Sequence, residues 1–209
     1  MDGGNQLNVQ RRGFGSAFLV ISKFVQMIKN NCFVITGGPG VGKTTLLTEL
    51  AKSGFEIIPE NAREIIRQEM EINGDGLPWK NKERYTRLMF EAAVASFHAV
   101  PSDDNAIRFF DRGLPDSLAY AEMEQLPVSE EMEQAGRNLR YNQTVFILPP
   151  WEEIYHTDNE RKQTWEEALW TFEKLKETYL KYGYELIEVP RGTVEERVGF
   201  VLGKMPSIR

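Results

Sequence analysis

The sequence predicts an α/β fold in which a parallel sheet of five strands is covered by helices on both faces. Short apolar runs rich in β-branched residues alternate with longer segments of helical periodicity, which is the pattern of strand–helix–strand units. In addition, the segment GGPGVGKT (37–44) connects the first apolar run to a helical pattern, as in proteins that bind phosphate at a helix N-terminus.

The predicted elements follow one another without an internal repeat or a low-complexity linker, so we expect one domain. The strands are expected at 33–36, 55–59, 107–111, 145–148 and 185–189. The helices are expected at 43–52, 62–71, 82–99, 116–125, 129–137, 160–182 and 194–202. The sixth helix carries one apolar face at three- and four-residue steps, which favours core packing over a ligand box: Trp165, Leu169, Phe172, Leu175, Tyr179 and Tyr182.

Residues 1–30 are predicted to form an N-terminal extension that precedes the domain at 31–209. Arg11 and Arg12 precede an apolar stretch that resembles a signal peptide, but Lys23 ends this stretch well short of the ~20 apolar residues that span a membrane. Because Met27 directly precedes the first strand, we interpret the extension as a mis-assigned start. A short amphipathic docking helix is the alternative.

The composition limits the partners and the compartment. A net charge of -6 argues against a nucleic-acid surface, and the single cysteine excludes an internal disulfide framework and suits a reducing cytoplasm. Neither histidine has metal-ligand spacing. We therefore expect small anions as partners, neither nucleic acid nor a membrane, and a chain that is compatible with a homodimer.

The segment GGPGVGKT, here called the glycine loop, predicts a nucleoside triphosphate site. Lys43 is expected to bridge the β- and γ-phosphates and Thr44 to ligate Mg²⁺. A glycine turn before an ordinary helix is the alternative, but the motif has both the preceding strand and the following helix that it requires. The predicted nucleotide-binding residues are Gly38, Pro39, Gly40, Val41, Gly42, Lys43, Thr44 and Thr45.

Two further strand ends carry polar residues. Asp111 ends the third strand, where its carboxylate can hold Mg²⁺ or accept the proton of an acceptor hydroxyl, and the sequence leaves both roles open. Arg112 can bind a phosphate through a bidentate pair of hydrogen bonds, with a surface ion pair at a turn as the alternative. After the second strand, Glu60 and Arg63 are candidates for acceptor binding, and a helix-capping role for Glu60 or Asn61 is the alternative.

A lid is expected near residues 151–164. The prolines at 149 and 150 end the fourth strand, and Thr157 or Asp158 is expected to cap the long helix, which places Arg161 in its first turn. A cation there opposes the helix dipole, so we expect it to bind the γ-phosphoryl group when the lid closes; a solvated helix start is the alternative.

Three more arginines are candidates for ligand binding. After the last strand, Arg191 is placed to border a purine base, although an exposed turn arginine has the same pattern. Arg137 and Arg140 are secondary candidates for the acceptor side.

Four motifs occur in order: the glycine loop, PENAREII (59–66), DRGLPD (111–116) and PPWEEIY (149–155). With them the chain resembles, over about residues 31–202, the small bacterial "AAA family ATPase" group called AAA_28. Despite its label this group is similar to nucleoside and nucleotide kinases, including thymidylate kinases in its Asp-Arg pair and the riboside kinase domain of NadR-type proteins.

The resemblance implies a P-loop NTPase fold of three α/β/α layers with strand order 2-3-1-4-5. It also implies that Asp111 is the metal or base position, Arg112 an acceptor-site residue and Arg161 a lid arginine. The short lid lacks the arginine-rich loop of many nucleotide kinases. Since no sensor pattern or helical lid domain of AAA+ machines is recognisable, a hexameric motor is not expected.

The leading interpretation is a Mg²⁺-dependent phosphotransferase that moves the γ-phosphoryl group of ATP to a nucleoside, nucleotide or similar small metabolite. The alternative is a regulatory protein that binds and slowly hydrolyses ATP or GTP without such an acceptor. An ATPase that acts on nucleic-acid ends is a third hypothesis, which the acidic charge disfavours. ATP is preferred over GTP because the segment NKER (81–84) lacks the final aspartate of the guanine-reading pattern.

Overall fold

The computed structural model of the protein describes residues 26–101, 104–154 and 164–206. Its strands are β1 (Met27–Ile28), β2 (Cys32–Gly37), β3 (Glu56–Ile58), β4 (Arg108–Asp111), β5 (Leu139–Arg140), β6 (Thr144–Leu148) and β7 (Glu185–Glu188). The main sheet is parallel, with the order β3-β4-β2-β6-β7. In terms of the five predicted strands this order is 2-3-1-4-5, so the predicted sheet is confirmed.

The described helices are α1 (Lys43–Lys52), α2 (Ala62–Glu71), α3 (Lys82–Ala99), α4 (Leu114–Met123), α5 (Glu130–Asn138), α6 (Trp165–Lys181) and α7 (Val194–Lys204), with a short 3₁₀ turn at Glu152–Ile154. The first three have the predicted bounds. The fourth begins two residues earlier than predicted because Asp116 is not its first residue but its third, where its carboxylate accepts the Gly113 N–H at 2.8 Å.

The predicted start of the long helix at residue 160 is wrong. The helix α6 begins at Trp165, and Thr164 caps it: its hydroxyl accepts the Glu167 N–H at 3.2 Å while the Glu167 carboxylate accepts the Thr164 N–H at 2.7 Å. The predicted helix caps Thr157 and Asp158 and the predicted lid residue Arg161 precede this start in the sequence. These three residues lie outside the described part of the chain.

Helices cover both faces of the main sheet, because alternate strand residues point to opposite sides. On one face, Phe33 and Phe109 pack against helices α1 and α7. On the other face, Val34 and Phe110 pack against the helices α3 to α6. The predicted apolar face of α6 is buried at Phe172, Leu175, Tyr179 and Tyr182, but Leu169 is 43% exposed and Ala168 is buried instead.

A second, two-stranded parallel sheet was not predicted. In it, β1 pairs with β5, with Met27 opposite Leu139. The buried Lys29 follows β1 and donates to the carbonyls of Phe97 at 2.6 Å and Val100 at 2.5 Å, at the C-terminal end of α3. Residues 27–30, which the predicted boundary places in the extension, thus contact the domain. In the described ranges, no helix has the length and apolar character needed to cross a membrane.

Candidate active site

The glycine loop lies at the carboxyl end of β2 and leads directly into α1. Gly40 and Gly42 have φ values of 79° and 77°, a region that favours glycine. A side chain at Gly37 would meet the Leu148 carbonyl oxygen at 2.8 Å. The first hydrogen bond of α1 runs from the Leu46 N–H to the Gly42 carbonyl, so the N–H groups of residues 43–45 have no intrahelical acceptor. The loop therefore has the backbone form that anion binding requires.

Three neighbouring strand ends bring Lys43, Asp111 and Glu60 together. Lys43 begins α1 after β2, and its ammonium group forms a hydrogen-bonded ion pair with Asp111 at the end of β4. Glu60, which follows β3, places an oxygen 3.9 Å from the same nitrogen. Burial raises the pKa of Asp111 above its ordinary value, although the charge of Lys43 opposes this shift. The sheet thus places two carboxylates beside the lysine of the glycine loop.

Arg112 lies directly behind these carboxylates and is itself paired on two sides. Its Nε is 2.9 Å from Glu60 Oε1, in an ion pair without an aligned hydrogen bond, and its Nη1 donates to Asp116 Oδ1 at 3.1 Å. Burial alone would lower the pKa of Arg112, but the carboxylates of Glu60, Asp116 and Asp111 raise it. Its φ of 68° is uncommon for a residue with a side chain, so this pairing is obtained at the expense of backbone strain.

Asp116 was not predicted as a site residue. Its carboxylate accepts hydrogen bonds from the Thr36 hydroxyl at 2.6 Å, the Gly113 N–H at 2.8 Å and the Tyr179 hydroxyl at 2.5 Å. It is buried, and together with the Arg112 contact it has four donors. Asp116 therefore connects β2, α4 and α6 behind the site and fixes the position of Arg112. The available sequence signal was an acidic residue three positions after a glycine at a helix start.

A cavity of about 320 Å³ opens where Glu60, Asp111 and Arg112 meet. It lies between α3, α4 and α6, and its walls are mainly apolar. Sequence patterns do not indicate that these helices enclose a site, because the wall residues are far apart in the chain. The larger side chains that line it from these three helices are Tyr85, Met89, Tyr120, Met123, Trp170 and Leu175.

Of the remaining predicted residues, one lines the cavity and the others do not. Asn61 lines the cavity and donates to the Ser96 hydroxyl at 2.9 Å instead of capping α2, whereas Arg63 is exposed in the first turn of α2 and is not among the lining residues. Arg191 donates to the Pro150 carbonyl at 2.8 Å. Arg140 donates to the Tyr182 carbonyl and Arg137 pairs with a glutamate of its own helix, so the structure does not bring either to the cavity.

On the opposite side of the glycine loop lies Arg197, which sequence reasoning missed. This buried side chain donates from Nη2 to the Val41 carbonyl at 3.1 Å, and its guanidinium carbon is 5.9 Å from the Trp151 ring centroid. Its Nε has no hydrogen-bond partner in the described structure. Burial lowers the pKa of Arg197. A buried cation thus holds the backbone of the glycine loop from behind.

A family model described as an AAA domain, AAA_28, matches residues 32–197. A search of curated proteins gave no significant match.

Solved structures share the fold at low sequence identity. A NadR protein in complex with NR is 19% identical with a TM-score of 0.62, over 85% of this chain and 52% of that one. A NadR protein in complex with NAD and AMP-PNP is 21% identical with a TM-score of 0.58, over 85% of this chain and 50% of that one. The deoxyadenosine kinase from M. mycoides with dCMP and dCDP is 18% identical with a TM-score of 0.54, over 85% and 100%. The chain spans about half the length of the NadR chains.

Proposed function

The chain belongs to the AAA_28 family of AAA domains, and we propose that it moves the γ-phosphoryl group of ATP to a small-molecule acceptor such as a nucleoside or nucleotide. The observation that carries this proposal is the cavity that begins at Asp111, directly beside Lys43 of the glycine loop. A protein that only hydrolyses its nucleotide needs room for one water molecule there. A cavity of about 320 Å³ instead suits an organic acceptor.

In the proposed reaction, the glycine loop and Lys43 bind the triphosphate. A hydroxyl of the acceptor attacks the γ-phosphorus, the bond from this phosphorus to the β–γ bridging oxygen breaks, and ADP leaves. The carboxylate of Asp111 or Glu60 takes the hydroxyl proton, because both lie where the cavity meets Lys43. The raised pKa of Asp111 brings it closer to the value that suits a general base.

The other site residues have supporting roles in this proposal. Arg112 orients Glu60 at the inner end of the cavity, whereas Arg63, which does not line the cavity, is assigned no contact with the acceptor. Arg191 borders the base of the nucleotide. Arg161, outside the described residues, adds charge at the γ-phosphoryl group from the lid.

The donor atoms near Lys43 fit a magnesium ion. Thr44 follows Lys43 with an exposed side chain, and the carboxylates of Asp111 and Glu60 both pair with Lys43, so the set consists of hard oxygen ligands. In the described part of the chain, no three histidine, cysteine or acidic side chains form a metal cluster. Magnesium in nucleotide sites needs none, because phosphates and water complete its shell. When bound, it would neutralise charge on the β- and γ-phosphates.

Proteins that share the fold support the choice of ligands: one NadR structure contains AMP-PNP and the deoxyadenosine kinase structure contains dCMP. The test is incubation with Mg²⁺, ATP or GTP and a pool of nucleosides, nucleotides and ribosides, with mass spectrometry of the products. We expect one phosphorylated product, lost in Lys43→Ala and retained in Lys52→Ala, whose lysine is exposed and pairs only with Glu49 in the described structure. Nucleotide hydrolysis at a rate independent of every pooled compound would favour a regulatory NTPase instead.

A further inference from the structure

The cavity has an inner and an outer end. From α3 it is lined by Tyr85, Met89, Ala93 and Ser96, and from α4 by residues 116, 117, 120, 123 and 124, which in each case form one helical face. Positions 116 and 124 are about 12 Å apart along α4 at 1.5 Å per residue. We call the end at Asp111 and Glu60 the inner end and the end at Glu124 the outer end. The distance between them is about the length of one small organic molecule.

Carboxylates dominate the charge of this cavity. In the described structure its charged lining residues are Glu60, Asp111, Arg112, Asp116 and Glu124, that is, four acids and one base. The single base is already paired with two of the acids. At the outer end, Lys82 pairs with Glu124 at 2.5 Å. With Lys43 and Lys82, which pair with Asp111 and Glu124 from outside the lining, the four acids still exceed the bases by one. A phosphate or carboxylate on the acceptor would thus meet surplus negative charge, and the one cation among the described lining residues is already paired.

Aromatic side chains supply the flat surfaces of the outer half. The rings of Tyr85 and Tyr120 touch edge to face with centroids 5.8 Å apart. Trp170 reaches the cavity from α6 and is 48% exposed, so its indole presents a face that the core does not use. Burial raises the pKa of Tyr85 to about 12, and the Glu60 carboxylate adds to this shift, so its phenol stays a neutral hydrogen-bond donor. Such surfaces suit an unsaturated ring.

From this arrangement we infer that the acceptor is an uncharged nucleoside-like molecule and not a nucleotide or an acid. Its hydroxyl lies at Asp111 and Glu60, and its ring lies between Trp170 on one side and the touching pair Tyr85 and Tyr120 on the other. The inference rests on the proposed phosphotransferase function, because it assigns the second substrate of that reaction.

The test compares matched acceptors in two measurements with the full chain. Adenosine, guanosine, cytidine and uridine are each paired with their 5′-monophosphate, and uridine is also paired with a uridine that carries a carboxylate at ring position 5. Phosphoryl transfer is followed with MgATP, and binding is followed by calorimetry with a non-hydrolysable ATP analogue. At least one nucleoside should be phosphorylated and bound, with kcat/KM more than about tenfold above its monophosphate, and the ring carboxylate should weaken binding by about tenfold.

Equal or faster transfer to a monophosphate would overturn the inference and leave the proposed phosphotransferase intact. If no nucleoside binds, the inference is wrong whether or not another acceptor is phosphorylated. Transfer to no acceptor at all would overturn the proposed function as well.

A variant pair tests the ring contact separately. Trp170→Leu should raise the KM for the nucleoside about tenfold, as expected for loss of one base-stacking surface, with little change in the KM for ATP. Trp79→Leu is the matched control, because Trp79 is 64% exposed and does not line the cavity. An unchanged nucleoside KM in Trp170→Leu would refute the proposed position of the ring.

Discussion

Replacement of Asp116 by asparagine is expected to destabilise the protein by more than its small change in volume suggests. Oδ1 accepts from the Thr36 hydroxyl and from Arg112, and Oδ2 accepts from the Gly113 N–H and the Tyr179 hydroxyl. An asparagine must present an NH₂ group on one side. The two hydroxyls can rotate and accept, but the Gly113 N–H and the Arg112 guanidinium only donate. In either orientation one buried donor faces another.

The magnitude follows from these contacts. A buried donor without an acceptor costs about 1–3 kcal/mol, and the remaining bonds lose the added strength of a charged acceptor, which is on the order of 1 kcal/mol. The free energy of unfolding should therefore fall by about 2–4 kcal/mol, which corresponds to a decrease in Tm of about 4–16 °C for a domain of this size. Because Arg112 loses its fixed position, phosphoryl transfer should fall as well.

Urea denaturation followed by circular dichroism measures this change. Glu122→Gln is the control, since Glu122 is a partly exposed carboxylate on the same helix and its contact with Lys181 lies near the surface. It should cost no more than about 1 kcal/mol. Tyr179→Phe removes one of the four donors, so its loss in the free energy of unfolding should lie between those of the two other variants. If Asp116→Asn and Glu122→Gln cost the same, Asp116 does not organise the site.

Three other outcomes are expected. The acid limb of the pH profile of kcat/KM should lie above the ordinary aspartate pKa of 3.8, because Asp111 has a raised pKa and must be ionised to accept a proton. The same shift means that the contribution of Asp111 to the free energy of unfolding is largest at low pH and is lost as the pH rises through the folded-state pKa. Asp111→Asn should remove both effects. Arg197→Met should weaken ATP binding about tenfold in calorimetry, with partial recovery in Arg197→Lys. Arg87→Met, whose arginine pairs with Glu91 at the surface, should bind ATP like the unchanged protein. Equal ATP affinities of Arg197→Met and the unchanged protein would refute the role of the Val41 contact. Burial raises the pKa of the Cys32 thiol to about 11, so iodoacetamide at pH 8 should label it ~100-fold more slowly in the native protein than in urea, and rapid native labelling would contradict its burial.

Much of the framework could be predicted because its signals are local. The strand before the glycine loop is a continuous apolar run that is buried throughout, and the first three helices follow helical periodicity. Parallel strands also bring their carboxyl ends to one edge of the sheet. This geometry was sufficient to predict that Glu60 and Asp111 would lie at the same edge of the sheet as the glycine loop, but not that both carboxylates would pair with Lys43. The capping box at Thr164 and Glu167 was also present in the sequence, but the acidic and polar residues before it offered competing helix starts.

The acceptor cavity could not be predicted in the same way. Tyr85, Tyr120 and Trp170 come from three helices that are distant in sequence, and periodicity says which face of a helix is apolar but not which faces meet around a gap. Arg197 was missed for a similar reason, because its contact with Val41 joins residues at opposite ends of the domain. The two-residue strands β1 and β5 are too short to give any periodic signal.

The central claim is that the γ-phosphoryl group goes to an organic acceptor. The most direct test is a single-turnover reaction with γ-labelled ATP, with and without the acceptor pool, in which the label is traced to organic product or inorganic phosphate. We expect most of the label in one organic product when the pool is present, and slow release of inorganic phosphate without it. Label found only in inorganic phosphate, at the same rate with and without the pool, would contradict the account.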